Sequence, residues 1–341
     1  MRFDYVIGNP PYQAEKDGGN KDFMAPVYDK FLDAAYNIGE CVEMIHPARF
    51  LFNAGQTPKE WNKKMLCDTH LKVLVYEEDA SKIFSNTDIK GGVAITYRDN
   101  KRDFGAIGLY SPYDEINSIL KKVKKKKEDS IMGIIFTQNR FNLKNLYESH
   151  PDYRYLIGSD GRDKRFRNNI FDYISAFKEE RQSNDDLKII GVIKNKRNWR
   201  YISKSLVDLS HENLFLWKVI IPRANGKGSI GDVLSSPIVL SPNEGYTQTF
   251  IGIGAFQTKR EAENANKYIK TRFARTMLGT LKHTQDNERG TWLNVPLQDF
   301  SEQSELNWDN SISEIDEQLY KKYELSDDEI AFIKANVKEM Q

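Results

Sequence analysis

The sequence predicts an α/β fold: a partial, doubly wound sheet, then a mixed α/β domain, then a short helical tail. Residues 3–8, FDYVIG, form an apolar run closed by a glycine and two prolines, which is typical of a buried strand. Residues 26–38 space apolar side chains at helical intervals, and residues 71–78 are strand-like again. Because strands and helices alternate, we expect a parallel sheet that binds ligands at one edge.

The remaining elements follow in chain order. Residues 41–51 predict a strand that ends at Pro47, and residues 57–66 predict a helix that begins at a Thr-Pro pair. Past residue 128 the pattern loosens into short apolar runs, which indicates a separate domain built to present loops. The tail is typical of two amphipathic helices, the second capped by Ser326 with Glu329 three residues later. The predicted domains are residues 1–128, 129–300 and 301–341.

The turn after the first strand, Asn9-Pro10-Pro11-Tyr12, carries residues suited to chemistry. The prolines lack N–H donors and fix φ, so they hold a rigid turn where open α/β sheets bind ligands. Asn9 offers a side-chain carbonyl, Pro10 a backbone carbonyl and Tyr12 an aromatic face. Two acceptors beside an aromatic ring would hold a planar ring that bears an exocyclic NH2 group. A plain Pro-Pro turn is the alternative, and the strand before it argues against that interpretation.

Residues Asn9 to Tyr12, with FDYVIG before them, resemble motif IV of the amino-methyltransferases that modify N6 of adenine in DNA. The resemblance implies that the Asn9 side chain and the Pro10 carbonyl accept both amino hydrogens. This would free the nitrogen lone pair for attack on a sulfonium methyl group. The resemblance also implies that Tyr12 stacks on a base flipped out of the duplex.

A second aromatic face is predicted at Phe84. In residues 81–99, Phe84 precedes a polar loop and then a strand over residues 89–97. That layout is similar to motif VIII of the same enzymes, whose aromatic residue stacks on the flipped adenine. Alternatively, Phe84 is an ordinary apolar residue that anchors the loop. Three loop residues are then expected near the pocket or the DNA backbone: Asn86, Asp88 and Lys90.

More of the chain looks like the large restriction-modification methylases, in which methylation and cleavage share a polypeptide or an operon. Residues 267–282, KYIKTRFARTMLGTLK, and residues 294–300, NVPLQDF, resemble the end of the target-recognition region in the type IIG-like members. The resemblance implies the carboxyl-terminal half of a Rossmann-like methyltransferase sheet, followed by a mixed α/β target-recognition domain.

That family uses S-adenosylmethionine, but its glycine-rich cofactor loop is not found in the expected place. Residues 226–231, GKGSIG, fit a glycine-rich pattern, yet Pro237 and Pro242 exclude the helix that should follow. Residues 250–256, FIGIGAF, have suitable residue types, but no acidic residue ends a following strand to hold a ribose. We therefore expect the cofactor-binding half in a partner polypeptide or in a missing amino-terminal half.

Double-stranded DNA is the expected partner, and its contacts must be local because the net charge is only +1. Residues 161–169 and 194–200 mix Arg, Asn and aromatic side chains, which suits phosphate and base contacts. The lysine run at 121–127 is instead typical of an exposed helix end. The predicted DNA-binding residues are Arg165, Arg167, Lys196, Arg197, Arg200, Arg272, Arg275 and Lys282.

Two other functions stay open from the sequence. The chain is alternatively a DNA-binding specificity subunit without activity of its own, or a restriction nuclease component. For a nuclease, PDY at 151–153 with DLK at 186–188 is a formal match to an acidic metal site. Cys41 and Cys67, both in apolar surroundings, indicate a reducing compartment and no zinc site. We see no signal peptide or spanning run, and so expect a cytoplasmic protein without a membrane partner.

Overall fold

The computed structural model describes residues 2–14, 25–52, 56–85, 89, 91–157, 164–226, 230–282 and 285–340. The chain divides into two compact units, residues 1–117 and 118–341. Both units combine helices with sheets, which confirms the predicted α/β class. Within the ranges just given, no helix has the length and apolar character needed to cross a membrane.

The first unit is built on a four-stranded sheet. Its elements are β1 (Phe3–Gly8), α1 (Tyr28–Ile38), β2 (Gly39–Pro47), a 3-10 helix (Ala48–Phe52), α2 (Lys59–Cys67), β3 (Leu71–Glu77), a second 3-10 helix (Ala80–Lys82) and β4 (Val93–Asp99). The strands lie in the order β1-β2-β4-β3, with β1 parallel to β2 and β4 antiparallel to both its neighbours. The prediction of an all-parallel sheet was therefore wrong at β4. Among the described residues between β3 and β4, the one helix is the short 3-10 turn at Ala80–Lys82, and a short connection suffices for antiparallel neighbours.

One face of this sheet is covered by α1 and α2. Leu32 of α1 and Trp61 of α2 pack in one buried cluster with Val42 and Met44 of β2. Burial of large apolar side chains of this kind contributes about 1.5–3 kcal/mol each, so this face is the core of the unit.

Residues 3–8 form the predicted strand, β1, but the prediction that this strand is buried was wrong. Phe3, Tyr5 and Ile7 are 46%, 71% and 77% exposed. They alternate with Val6, which packs against the core, because successive side chains of a strand point to opposite faces. The strand also lies at the end of the sheet order, so only one of its edges is paired.

His46 has a structural role in this core. Its side chain is fully buried, its ring stacks on Tyr28 at 5.8 Å, and its Nε2 lies 2.8 Å from the Thr96 hydroxyl. Burial lowers the pKa of His46 from 6.5 to about 4. The neutral imidazole is thus favoured by folding, and His46 belongs to the buried core of the unit.

We expect the stability of the protein to depend on pH through His46. The folded-state pKa is depressed, so the unfolded state binds the extra proton, and stability falls as the pH is lowered from about 6.5 toward about 4. The loss should reach about 3 kcal/mol at the acid end of that window. Urea unfolding at several pH values should show this slope in the parent and a shallower slope in His46→Gln. His70→Gln is the matched control and should keep the parental slope of unfolding free energy against pH. An unchanged slope in His46→Gln would contradict the assignment.

The second unit holds two sheets and the remaining helices. Helix α3 (Asp114–Lys125) contains the boundary between the units, and it ends inside the lysine run of residues 121–127. The elements that follow are β5 (Ile135–Phe136), α4 (Leu143–Ser149), α5 (Tyr153–Leu156), α6 (Ile170–Tyr173), β6 (Asp186–Ile193), β7 (Lys196–Ser203), β8 (Trp217–Pro222), β9 (Ile238–Leu240), β10 (Glu244–Tyr246), β11 (Phe250–Phe256), α7 (Lys259–Lys270), α8 (Arg272–Gly279), α9 (Ile312–Lys322) and α10 (Asp327–Asn336). One sheet has the order β10-β6-β7 and the other β5-β11-β8-β9.

The two predicted tail helices are confirmed as α9 and α10. Each begins with a capping box, in which Ser311 pairs with Glu314 and Ser326 with Glu329. The Ser326 cap is the one that the sequence predicted. Reciprocal bonds of this kind satisfy two of the free N–H groups at a helix start, so the local sequence alone fixes where the helix begins.

Candidate active site at the carboxyl edge of the first sheet

The Asn9–Tyr12 turn lies at the edge of the sheet where three strands end. Strands β1, β2 and β3 run in the same direction, because β2 and β3 are both antiparallel to β4. Asn9 directly follows the last residue of β1 and is exposed at this edge, and Pro10 is half-buried. The turn therefore presents its amide and carbonyl acceptors at the position where open α/β sheets bind ligands.

Main-chain bonds tie this turn to the start of α1. The N–H of Val27 donates to the carbonyl of Tyr12 at 3.2 Å, and the N–H of Ala14 donates to the carbonyl of Ala25 at 2.9 Å. The Tyr12 ring is half-buried against the core, and burial raises the pKa of its hydroxyl. A neutral ring packed on one side is suited to offering its other side to a planar ligand.

Phe84 lies on the loop from β3 to β4, at the same edge. The Asp79 carboxylate accepts bonds from the N–H and the hydroxyl of Ser81, at 3.1 and 2.6 Å, and the Phe84 N–H donates to the Ala80 carbonyl at 2.9 Å. These bonds hold the short 3-10 turn from which Phe84, itself half-buried, projects. The three neighbours expected near the pocket lie outside the described residues: Asn86, Asp88 and Lys90.

The turn and the Phe84 loop border the same end of the sheet. Strand β4 starts where this loop ends, and only β2 separates β4 from β1. Two interstrand spacings amount to about 10 Å between the backbones of β1 and β4. The structure thus brings the two predicted base contacts to one edge.

Sequence reasoning missed an aromatic cluster at this edge. Phe52 follows β2, Tyr76 is near the end of β3, and Tyr110 packs on both, with ring centroids 5.5–5.7 Å apart in edge-to-face contact. All three rings are half-buried against the core cluster. The three residues lie far apart in the sequence and share no helical or strand periodicity, so the sequence alone does not indicate that they are in contact.

Residues 1–84 match the family of the Eco57I restriction-modification methylase. The matched stretch contains β1 to β3, the Asn9–Tyr12 turn and, as its last residue, Phe84. The match supports a DNA methyltransferase role in general. A search of the curated proteins gives no match to the chain.

In the second unit, the predicted DNA-binding residues fall into two groups. The first group is exposed or half-buried, and three of its members, Lys196, Arg197 and Arg200, lie on β7. The two-residue turn of the β6–β7 hairpin, Lys194 and Asn195, has positive φ at both positions. Lys196 is exposed beside this turn, and the Arg197 guanidinium donates to the carbonyls of Ser235 and Ser236 at 3.2 and 2.7 Å. Arg200 forms an ion pair with Glu179, and Arg272 one with Glu339. Arg165 and Arg167 are half-buried.

The second group, Arg275 and Lys282, was wrongly predicted to contact DNA. Both side chains are 1% exposed. Lys282 donates to the Asn225 carbonyl at 2.6 Å and pairs with Asp232 at 3.3 Å. Arg275 donates only to main-chain carbonyls in its surroundings, and burial lowers its pKa to about 10, so it stays charged at neutral pH. Cations already bonded inside the protein stabilise the fold and are not presented to phosphate groups.

The structure also describes two motifs for which the sequence suggested other roles: FIGIGAF as a cofactor loop, and PDY with DLK as a nuclease metal site. FIGIGAF is strand β11, paired antiparallel with β5 and β8, and a Cβ at Gly252 would lie 2.2 Å from the Tyr246 hydroxyl. Its glycines therefore serve close packing inside a sheet rather than a cofactor loop. In the formal nuclease match, Asp152 precedes helix α5 instead of lying on a strand, and the Asp186 carboxylate accepts two loop N–H bonds. That pair does not form an acidic metal site.

Proposed function

We propose that this chain is the target-base side of a DNA adenine-N6 methyltransferase from a restriction-modification system. One observation supports the proposal above the others: the Asn9–Tyr12 turn stands at the ligand-binding edge of its sheet, inside the stretch that matches a methylase family. The substrate is double-stranded DNA with one adenine flipped out of the stack.

The chemistry of the turn explains why these residue types are needed. The lone pair of the adenine amino group is delocalised into the ring, so the nitrogen is a poor nucleophile. The Asn9 side-chain oxygen and the Pro10 carbonyl accept its two N–H bonds, which favours a tetrahedral nitrogen whose lone pair is localised and aimed at an electrophile. Tyr12 and Phe84 hold the base by stacking on it.

S-adenosylmethionine supplies the methyl group in this proposal, but the described residues do not fit it. FIGIGAF is the interior strand β11, so its glycines do not form a cofactor loop, and residues 227–229 of GKGSIG lie outside the described residues. In this proposal the described residues hold and activate the base, and a partner polypeptide supplies the site for the methyl donor.

The DNA interface in this proposal lies on the second unit. It comprises the residues that remain at or near the surface: Arg165, Arg167, Lys196, Arg197, Arg200 and Arg272. The β6–β7 hairpin presents Lys196 beside a tight turn, and a two-stranded ribbon fits the major groove of B-DNA. A DNA-binding specificity subunit without activity is the second candidate, and it is favoured by the placement of FIGIGAF in strand β11 instead of a cofactor loop.

We expect Phe84→Ala to lower the methylation rate about tenfold, because stacking on one aromatic ring is worth about 1–3 kcal/mol. The fluorescence of 2-aminopurine at the target position should fall in the same complex, since the flipped base is held less well. Phe31→Ala, which changes an exposed ring on α1, is the matched control. A folded Phe84→Ala protein that flips and methylates like the parent would leave Phe84 as a loop anchor only.

A further inference from the structure

The lysine run at the end of α3 divides into two groups with different surroundings. The ammonium group of Lys122 lies 2.7 Å from the Glu329 carboxylate of α10. That of Lys126 lies 3.4 Å from the carboxylate of Glu324, just before the same helix. The other four lysines are exposed, and none of them forms an ion pair in the part of the chain that the structure describes. They are named the lysine patch below: Lys121, Lys124, Lys125 and Lys127.

The lysine patch lies on the solvent side of α3. Lys121, Lys124 and Lys125 fall within about 100° of one another around the helix axis. The buried Ile119 and Val123 lie on the opposite side. Like charges three or four residues apart on a helix repel each other, and the helix dipole compensates only those in the last turn. The fold thus brings together cations that it does not neutralise.

The acidic residues that follow the run do not neutralise the patch. The Glu128 carboxylate pairs with Lys322 at 2.8 Å and accepts a bond from the Tyr323 hydroxyl. Asp129 is exposed, and it sets one negative charge against the four positive charges of the patch. The patch therefore keeps a net positive charge, which suits a polyanion.

Lys127 adopts a backbone conformation that lysine disfavours. Its φ is 55°, in the left-handed region, and its N–H donates to the Lys124 carbonyl at 3.2 Å. Glycine is the usual residue at this position after a helix, because a Cβ is strained there. A glycine would end α3 with less strain but would remove the ammonium group. The lysine at this position therefore indicates a use for its side chain.

A cleft lies between two lysines of the patch. It has a volume of about 180 Å³, and Lys124, Lys127 and Asn294 line it. Glu128 and Asp129 border it as well, so the two ammonium groups outnumber the one carboxylate that is not already paired. Because a water molecule occupies about 30 Å³, the cleft admits an oxyanion with part of its hydration shell. Ammonium and amide donors suit the oxygen atoms of a phosphate group.

We propose that the lysine patch binds the phosphate backbone of DNA, in addition to the contacts proposed for β7 and for residues 161–169. The inference rests on the proposed function in one respect, that the polyanion is DNA. Lys121 and Lys125 are about 6 Å apart along the helix axis, and one strand of a duplex presents a phosphate about every 3.4 Å along its own axis. Neighbouring lysines thus reach nearby phosphates. Ammonium groups bind phosphate as point charges, so these contacts hold the duplex without reading its sequence.

The test is binding of the purified full chain to a short duplex of random sequence, measured by fluorescence anisotropy over a range of salt concentrations. One variant replaces the whole patch with glutamine, whose helix propensity is close to that of lysine. If three phosphate contacts are lost, the slope of log affinity against log salt should fall by about 3, and the affinity at about 0.1 M salt should fall about 100-fold or more. The matched control replaces four exposed lysines elsewhere with glutamine and should bind like the parent: Lys63, Lys259, Lys321 and Lys338.

Lys127→Gly separates a DNA contact from a structural role. Glycine relieves the left-handed strain, so this variant should melt about 2 °C or more above the parent. It should also bind the duplex about fivefold more weakly at about 0.1 M salt, because one phosphate contact is lost. Parental DNA affinity in the stabilised Lys127→Gly protein would contradict the contact at Lys127.

The outcomes separate this inference from the proposed function. Parental duplex binding by the patch variant, with adenine methylation intact, would overturn the patch and leave the proposed function standing. Duplex binding that depends on the patch, in a protein that methylates no adenine with its flanking gene products, would overturn the function and leave the patch. If the patch variant lost binding of inorganic pyrophosphate but bound the duplex like the parent, the cleft would hold a small anion, which contradicts the inference.

Discussion

Alanine in place of Asn9 is expected to reduce N6-adenine methylation by a factor of at least about 10²–10³, the cost of losing one hydrogen-bond partner aimed at the reacting group. The side chain is exposed at the end of β1, so its removal should leave the fold intact. DNA affinity should stay within a few fold, since phosphate contacts on other residues dominate it. Methylation can be measured by nucleoside mass spectrometry of DNA from a methylation-free host that carries the chain with its flanking genes.

Gln13→Ala provides the matched control for Asn9→Ala. It removes another exposed amide side chain from the same turn without touching the two proposed acceptors. Near-parental methylation by Asn9→Ala would remove the mechanism. Equal losses in both variants would indicate that the turn is merely distorted.

Arg275→Ala is expected to destabilise the second unit by about 3 kcal/mol. The guanidinium donates to three main-chain carbonyls, those of Lys270, Gly231 and Lys338, with distances of 3.1 Å to the first and 3.0 Å to the second. Truncation leaves buried acceptors without donors and opens a cavity, and each effect costs on the order of 1–3 kcal/mol. A thermal transition lowered by about 10 °C is the measurable result for a unit of this size.

Arg260→Ala controls for the loss of a cation. Its side chain is 52% exposed and pairs with Asp309 at 3.1 Å, so removal should cost less than about 1 kcal/mol. If Arg275→Ala melted like the parent and instead weakened DNA binding with a shallower salt dependence, Arg275 would be a phosphate contact after all.

The elements of the first unit could be predicted from local patterns, but their environment could not. Helix α1, strand β2 and helix α2 lie within a few residues of their predicted bounds, because periodicity and proline positions are local signals. The direction of β4 depends on which strand it pairs with, and that is a property of the sheet. The alternation of Phe3, Tyr5 and Ile7 with Asp4 and Val6 predicts a strand equally well whether the outer face is covered or open.

In the candidate site and the predicted DNA-binding residues, too, local features could be predicted from the sequence and long-range contacts could not. Asn9 to Tyr12 could be found because prolines fix a turn after a strand, and the fold then carries that turn to the sheet edge. Arg275 and Lys282 could not be separated from surface cations by sequence. A basic residue on or just after an amphipathic helix has the same local pattern whether it bonds main-chain carbonyls of distant loops or contacts DNA.

The most direct test of the central claim is the identity of the methylated base. DNA from a methylation-free host carrying the chain and its flanking genes should be digested to nucleosides and analysed by mass spectrometry, beside DNA from a host in which only this chain is deleted. The account predicts N6-methyldeoxyadenosine in the first sample and none in the second. Methylated cytosine in place of methylated adenine, or equal adenine methylation in both samples, would contradict it.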